Sequence, residues 1–468
     1  MAGAASAAAA RAAANDPAAS REERLAALAE LASALPPRAR AGADSPGESN
    51  NHVHTIYSFS PYSPSMAALL AREAGLEVAG SVDHDSISAS REMVAACASV
   101  GIGGVTGCEL RVGFRDLPPG EGESEGKRLP FADRKINNPD SRGIVYMTIQ
   151  GVPAGRVDEL SSFLEPIRAK RIERTARMAA SASELLRASG AAGIDMGRDV
   201  LARSMSREGG GVTERHLLAA VAAALIARYG RGEALLAGLE KGLGIAPRGK
   251  IAALLADPGN PMLDYDLLGV LKAGFLDRIF EQPGEAECPP ASQVVAYARS
   301  IGAIPAYAYL GDVGESPTGD KKAEKFEDDF IEELFDAVKA AGFLAVAYMP
   351  PRNTAEQLTR VRRLCDERGL MQISGVDINS PRQSFNCPEL RRPEFSNLRD
   401  STWALVAHER LSSIDPGVGL FSAGNALAAL PLSERLASYA KAGRALDPSR
   451  PGDPGAVLDD LVKGRFSS

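Results

Sequence analysis

Strand-like runs and amphipathic helical runs alternate along this 468-residue chain, stop alternating between about residues 161 and 300, and then resume. This interrupted alternation limits the fold more than any other feature, because strands joined by crossover helices line up parallel in one sheet. The first block reads as a strand around "NNHVHT", the helix "SPSMAALLAREAG" with Ser65 as its N-cap, the strand "EVAGSV", the helix "SASREMVAACASVG" and the strand "GGVTGCEL". A charged, Pro- and Gly-rich loop, 116–142, leads to the strand "GIVYMTIQG". The second block reads as "AIPAYAYL", a helix presenting Phe326, Phe330, Leu334, Phe335 and Val338 to the core, "FLAVAYM", a helix from Thr354, and "LMQISGVDIN". About seven strands with intervening helices make an α/β fold, and one closed α/β barrel accounts for them more economically than two sheets.

The helix-only stretch, with "RHLLAAVAAALIARYG" and "DYDLLGVLKAGF", reads as an inserted helical subdomain. The expected divisions are an N-terminal extension 1–48, a first half-barrel 49–160, the insertion 161–300, a second half-barrel 301–380 and a C-terminal extension 381–468. The alanine-rich start, "MAGAASAAAARAAANDPAAS", lacks the pattern of a signal peptide and is expected to be disordered or loosely helical. No apolar run reaches the roughly 20 residues that span a bilayer. The formal charge is -7 without a long basic run, which argues against a general nucleic-acid or anionic-membrane surface and favours a small substrate. Five cysteines without a C-x-x-C pair fit a cytoplasmic chain.

Only five histidines are present, yet His52 and His54 stand two apart. At that spacing on a strand two imidazoles face the same way, which is chelate geometry; a solvated turn is the bland alternative. The mouth of an α/β barrel is built where strands end. His52 and His54 end the first strand, "VDHDS" ends the second with Asp83, His84 and Asp85, "GCEL" ends the third with Glu109, and "GVDIN" ends the last with Asp377. Imidazoles and carboxylates from four strand ends suit one divalent ion, Zn, Mn or Fe, better than a thiolate-seeking metal. His408 falls outside these motifs and reads as structural or exposed.

The ordered set "NNHVHTIYS", "SVDHDS", "GVTGCEL" and "SGVDIN" resembles the PHP (polymerase and histidinol phosphatase) superfamily, above all its branch acting on nucleoside bisphosphates and related phosphoesters. "VTERHLLAAVAAAL" resembles that branch's Arg-Pro-His helix start, with Glu214, Arg215 and His216 in its place. The resemblance implies a distorted seven-stranded barrel and metal-dependent phosphoester hydrolysis at a cluster of up to three ions. It implies a complete first site of His52, His54, Glu109 and Asp377. The second and third sites are degraded, with Tyr146, Tyr309, Phe59 and Asn379 where ligands are expected and Met349 where a histidine would precede proline.

With one ion, His84 or Asp85 becomes the candidate general base, and Arg215, His216, Arg352 and Arg382 become candidate phosphate contacts. Each has a plainer alternative: Asp85 as a helix cap, His216 as a residue bonding within its own first turn, the arginines as solvated side chains. The leading expectation is a phosphoesterase for a small phosphorylated metabolite or nucleotide, with the helical block as a lid. The competing one is a catalytically silent domain that binds a ligand or partner and keeps one structural ion. Another hydrolytic reaction on the same scaffold stays open, while nucleic-acid proofreading is weaker for an acidic chain.

Overall fold

In the computed structural model, which describes residues 2–38, 46–117, 130–314, 323–449 and 452–466, seven strands join one sheet in chain order. They are β1 (Glu48–Val53), β2 (Leu76–His84), β3 (Gly103–Gly113), β4 (Ile144–Gln150), β5 (Ile304–Ala308), β6 (Ala345–Tyr348) and β7 (Met371–Ser374). Beyond β7 the chain returns to β1: Ile378 bridges Val53, His54 N–H donates to the Ile378 carbonyl (2.9 Å), and Ile378 N–H donates to His52 (3.1 Å). The sheet is thereby nearly closed into the distorted seven-stranded α/β barrel.

β1 to β3 pair in parallel, as do β5 to β7, but β4 runs antiparallel to both neighbours. No α-helix intervenes between β3 and β4 among the described residues, so nothing carries the chain back to the opposite end of the barrel. The reversal matters for the site. Tyr146, near the start of β4, pairs with Arg111 near the end of β3 and so lies at the mouth.

The helix Pro64–Glu73 is capped by Ser63, whose Oγ accepts from the Met66 N–H, rather than by Ser65; Ser65 instead donates to Glu92 (2.8 Å). The alanine-rich start is more ordered than its composition suggests. Ala2–Ala14 and Arg21–Ala32 are helices, and Ala14 and Leu28 join a core cluster with Leu69, Met93 and Cys97. Fully buried Arg24 pairs with fully buried Glu92 at 2.7 Å, a contact whose one-sided removal costs about 3–5 kcal/mol.

The helix Val157–Ala188 belongs to two cores. Leu160, Leu164 and Ile167 pack on the outside of the barrel, whereas Met178, Ala182 and Leu186 pack with the helices Glu214–Tyr229, Glu233–Leu243 and Leu263–Gly274. At the other end, Trp403 and Val406 of the helix Ser396–Ser412 pack against Val78, Val105, Ile304, Ala345 and Met371, which stand near the starts of their strands. The region after β7 thus seals the barrel end opposite the mouth. Glu409 extends into that seal and accepts from the Thr106 N–H (2.8 Å). His408 is buried there too, and its Nδ1 accepts from the Leu420 N–H (2.9 Å). No helix among the described residues is long and apolar enough to cross a membrane, and all five cysteines are free and buried.

Candidate metal centre

Five donor side chains meet where β1 and β2 end and the chain leaves β7; Glu109, expected at the end of the third strand, lies within β3, which continues to Gly113, and reaches the cluster by pairing with His84, the last residue of β2. Ligand atoms of His52, His54 and Asp377 lie within 4.8 Å of one another, as do those of His54, His84 and Glu109. His54 is the shared member. Its Nε2 is 3.3 Å from Asp377 Oδ1 and 3.8 Å from Glu109 Oε2, while His52 Nε2 is 3.7 Å from Glu109 Oε1. His84 Nδ1 approaches Glu109 Oε2 to 2.9 Å without the alignment of a hydrogen bond.

Burial, and next His84 alongside, lower the His54 pKa to about 3, so this imidazole is neutral at physiological pH. Burial alone would raise Glu109, yet His84 and His52 hold it down at about 2. A neutral, hydrogen-bond-free buried nitrogen therefore faces two carboxylates. A buried acceptor without a donor costs roughly 1–3 kcal/mol, and a divalent cation is the group that satisfies nitrogen and carboxylate oxygens together. The donor set fits such an ion.

A cavity of about 270 Å³ opens over these residues, with His52, His84, Glu109 and Asp377 on its wall. Tyr146 lines it with its ring 6.0 Å from that of His84. Tyr309 lines it too, but its hydroxyl donates to Asp328 (2.7 Å). Asn379 donates to Asp377 Oδ1 (2.7 Å), so it steadies one of the candidate ligands. Met349 is also on the wall. Phe59 is turned away at a φ of 81°, its ring 5.0 Å from His216 and 5.9 Å from Tyr265.

The candidate phosphate contacts separate in space. Arg215 reaches the cavity, makes no ion pair among the described residues, and donates to the Asn379 carbonyl at 3.2 Å. His216 lies outside the lining; its Nδ1 accepts from the Thr213 N–H at the start of its own helix (3.0 Å), which is the local alternative. Arg352 donates to the Leu310 carbonyl (3.1 Å), and Arg382 forms a two-pronged pair with Asp266 (2.7 and 2.6 Å); neither lines the cavity. Asp85 departs furthest from its expected role as a base. It turns out of the strand at a φ of 53° and its buried carboxylate binds Arg171 Nη1 at 2.6 Å.

That pair belongs to a network the motifs did not point to. Arg111 on β3 contacts Glu214 and Glu287; Arg171 contacts Asp85 and Glu214 (2.7 Å); Arg174 contacts Glu214 and Glu287 (2.7 Å). Burial would raise Glu214, yet Arg171, Arg111 and Arg174 hold it well below the usual carboxylate range. The network ties the helical block to the barrel mouth. Lys272, on the helix Leu263–Gly274, also lines the cavity and makes no ion pair among the described residues. No local pattern marks either feature, because each depends on which distant elements meet.

No protein-family model matches the chain, and no curated protein matches it. Solved structures similar to it include a provisionally assigned metal-dependent phosphoesterase from Bifidobacterium adolescentis, 18% identical with a TM-score of 0.46 over 75% of this chain and 94% of that one. Another is an amidohydrolase from Chromobacterium violaceum with bound sulfate and no metal, also 18% identical, with a TM-score of 0.44 over 76% of this chain and 97% of that one. Likenesses of this size assign no activity.

Proposed function

We propose that the chain is a metal-dependent hydrolase of a small phosphoester, working at the barrel mouth. The observation that carries this reading is the His54 Nε2, buried without a hydrogen bond and facing Asp377 and Glu109 beside a cavity that Arg215 and Lys272 also line. His52, His54, Glu109 and Asp377 would hold one Zn, Mn or Fe ion. Such an ion polarises a phosphoryl oxygen and brings the pKa of a water to about 7.

The remaining work falls to the protein. His84, on the cavity wall, accepts a proton from the attacking water, a role worth typically about 10²–10⁴-fold. Arg215 donates to phosphoryl oxygens as charge gathers on them, and the exposed ammonium of Lys272 attracts the anion. The paired Arg111 and Arg171 hold the wall in place.

Metal content and phosphate release from a panel of phosphorylated metabolites, after chelation and reloading, test this reading. Release that is lost in His54→Ala and Asp377→Ala together with the metal supports it. Release that survives both substitutions overturns the site. His84→Ala should keep the metal while lowering turnover about 10²-fold or more. A second reading, a silent ligand-binding domain, is favoured by Phe59 and Tyr309, whose side chains are engaged with His216 and Asp328 instead of the cluster. Tight binding without turnover under saturating Mn²⁺ or Zn²⁺ would select it.

A further inference from the structure

We propose that Asp83 is a positioning residue that acts through Ser58 to fix His54 as its Nδ1–H tautomer, aiming the bare Nε2 between Glu109 and Asp377. The proposal rests on the metal-centre reading above and deepens it. Asp83, Ser58 and Thr55 are each at most 1% exposed, so the protein itself must supply their partners.

Burial raises the Asp83 pKa while the Thr55 and Ser58 donors oppose that rise; with the carboxylate ionised and accepting from all three of those donors, the protons along this chain of contacts have one arrangement. The Thr55 N–H donates to Asp83 Oδ1 (2.7 Å), and a backbone N–H cannot reverse its role. The Tyr57 N–H donates to Thr55 Oγ1 (3.3 Å), which turns the Thr55 hydroxyl proton toward Asp83 Oδ2 (2.6 Å). Ser58 Oγ lies 2.6 Å from Asp83 Oδ1 and gives its only proton there. Toward His54 Nδ1, 3.1 Å away, the Ser58 oxygen can then only accept. Nδ1 therefore carries the imidazole proton, and Nε2 is left as a lone pair.

The opposite tautomer is chemically attractive, which makes the assignment informative. A proton on Nε2 would let His54 donate to Asp377 Oδ1, 3.3 Å away, with no cation needed. It would also set the Nδ1 lone pair against that of Ser58. The Asp83–Ser58 pair removes this option, so the two carboxylates keep their charge for an ion. Hydrogen bonds of this kind behind a ligating histidine set its tautomer and orientation, and losing them typically weakens metal affinity about 10–100-fold.

The test uses the full chain labelled with ¹⁵N only in its five histidines and freed of metal. Long-range ¹H–¹⁵N correlation spectra distinguish the two neutral tautomers, and His54→Gln assigns the resonance. The expected result is Nδ1–H at His54 in wild type, with that preference lost in Ser58→Ala and Asp83→Asn. Competition with a chromophoric chelator should show Zn²⁺ affinity about 10-fold or more weaker in both variants. If Asp83→Asn fails to fold, the wild-type spectrum and Ser58→Ala still decide. Nε2–H in wild type, or a folded Ser58→Ala with unchanged tautomer and affinity, overturns the proposal. Neither readout depends on turnover: Nδ1–H and weakened Zn²⁺ binding in the variants, without phosphate release from any substrate, would uphold this inference and sink the hydrolase reading alone.

Discussion

Two buried polar clusters meet at the barrel mouth, and they solve the same electrostatic problem differently. In one, Arg111, Arg171 and Arg174 face Asp85, Glu214 and Glu287, so three cations meet three anions. In the other, Glu109 and Asp377 face His52, His54 and His84, and the best-buried imidazole, His54, is neutral. The first cluster is complete within the protein and has the character of a structural clamp. The second leaves the His54 Nε2 without a hydrogen bond beside two carboxylates, a donor set that a cation would complete. Burial and ionisable residues alone therefore do not mark a candidate functional site; acceptors left without donors are the sharper pointer to one.

The comparison breaks most visibly if the clamp is cut. Arg171→Ala leaves Asp85 and Glu214 without a main partner, and the expected loss is about 3–5 kcal/mol, with or without added metal, in denaturant unfolding. A metal-dependent loss would mean that the clamp and the metal centre are one unit. The second cluster should respond to ligand instead. With Zn²⁺ at a hundredfold excess over its Kd, wild type should gain about 2.7 kcal/mol over the chelated protein, whereas Asp377→Ala should gain far less. Equal gains in both would place the ion elsewhere.

The third test concerns the sealed end of the barrel, which serves as a control and whose effect is small per pH unit. Burial raises the Glu409 pKa to about 8 despite its hydrogen bonds from Thr106. Because the folded state holds this proton more tightly than the unfolded chain, Glu409 favours folding below about pH 4.5, and that contribution is lost as pH rises through 8. Stability should fall across this window by at most about 1.4 kcal/mol per pH unit. Glu409→Gln should flatten that slope in urea titrations at several pH values, and a slope that persists would assign it to other groups.

Much of the barrel was legible because its signals are local. Short apolar runs bounded by helices and turns mark β2, β3 and β6, and His52 and His54 share a face by strand geometry. Asp377 follows the end of β7, close to where barrel sites form, whereas Glu109 lies inside β3 opposite the last residue of β2. The direction of β4 was not legible, since a long charged loop before a strand permits either sense; residues 118–129 of that loop lie outside the described residues. Nor could adjacent residues be told apart. His84 and Asp85 look like equivalent candidates in "VDHDS", but the turn at Asp85 sends one toward Glu109 and the other to Arg171. For His216, the hydrogen bond from Thr213 agrees with the local one of two readings that the sequence left equal.

What the sequence by itself determined is the order of strands and helices and the presence of histidines and carboxylates toward the mouth side of successive strands, since both follow from short-range patterns. Tertiary structure alone decided which of those charges are already neutralised. The arginine that neutralises Asp85 lies 86 residues further along, on a helix shared between two cores. The serine that orients His54 is held by an aspartate 25 residues away. Neutralisation depends on distances of a few ångströms between remote elements, and only the folded chain brings those elements together.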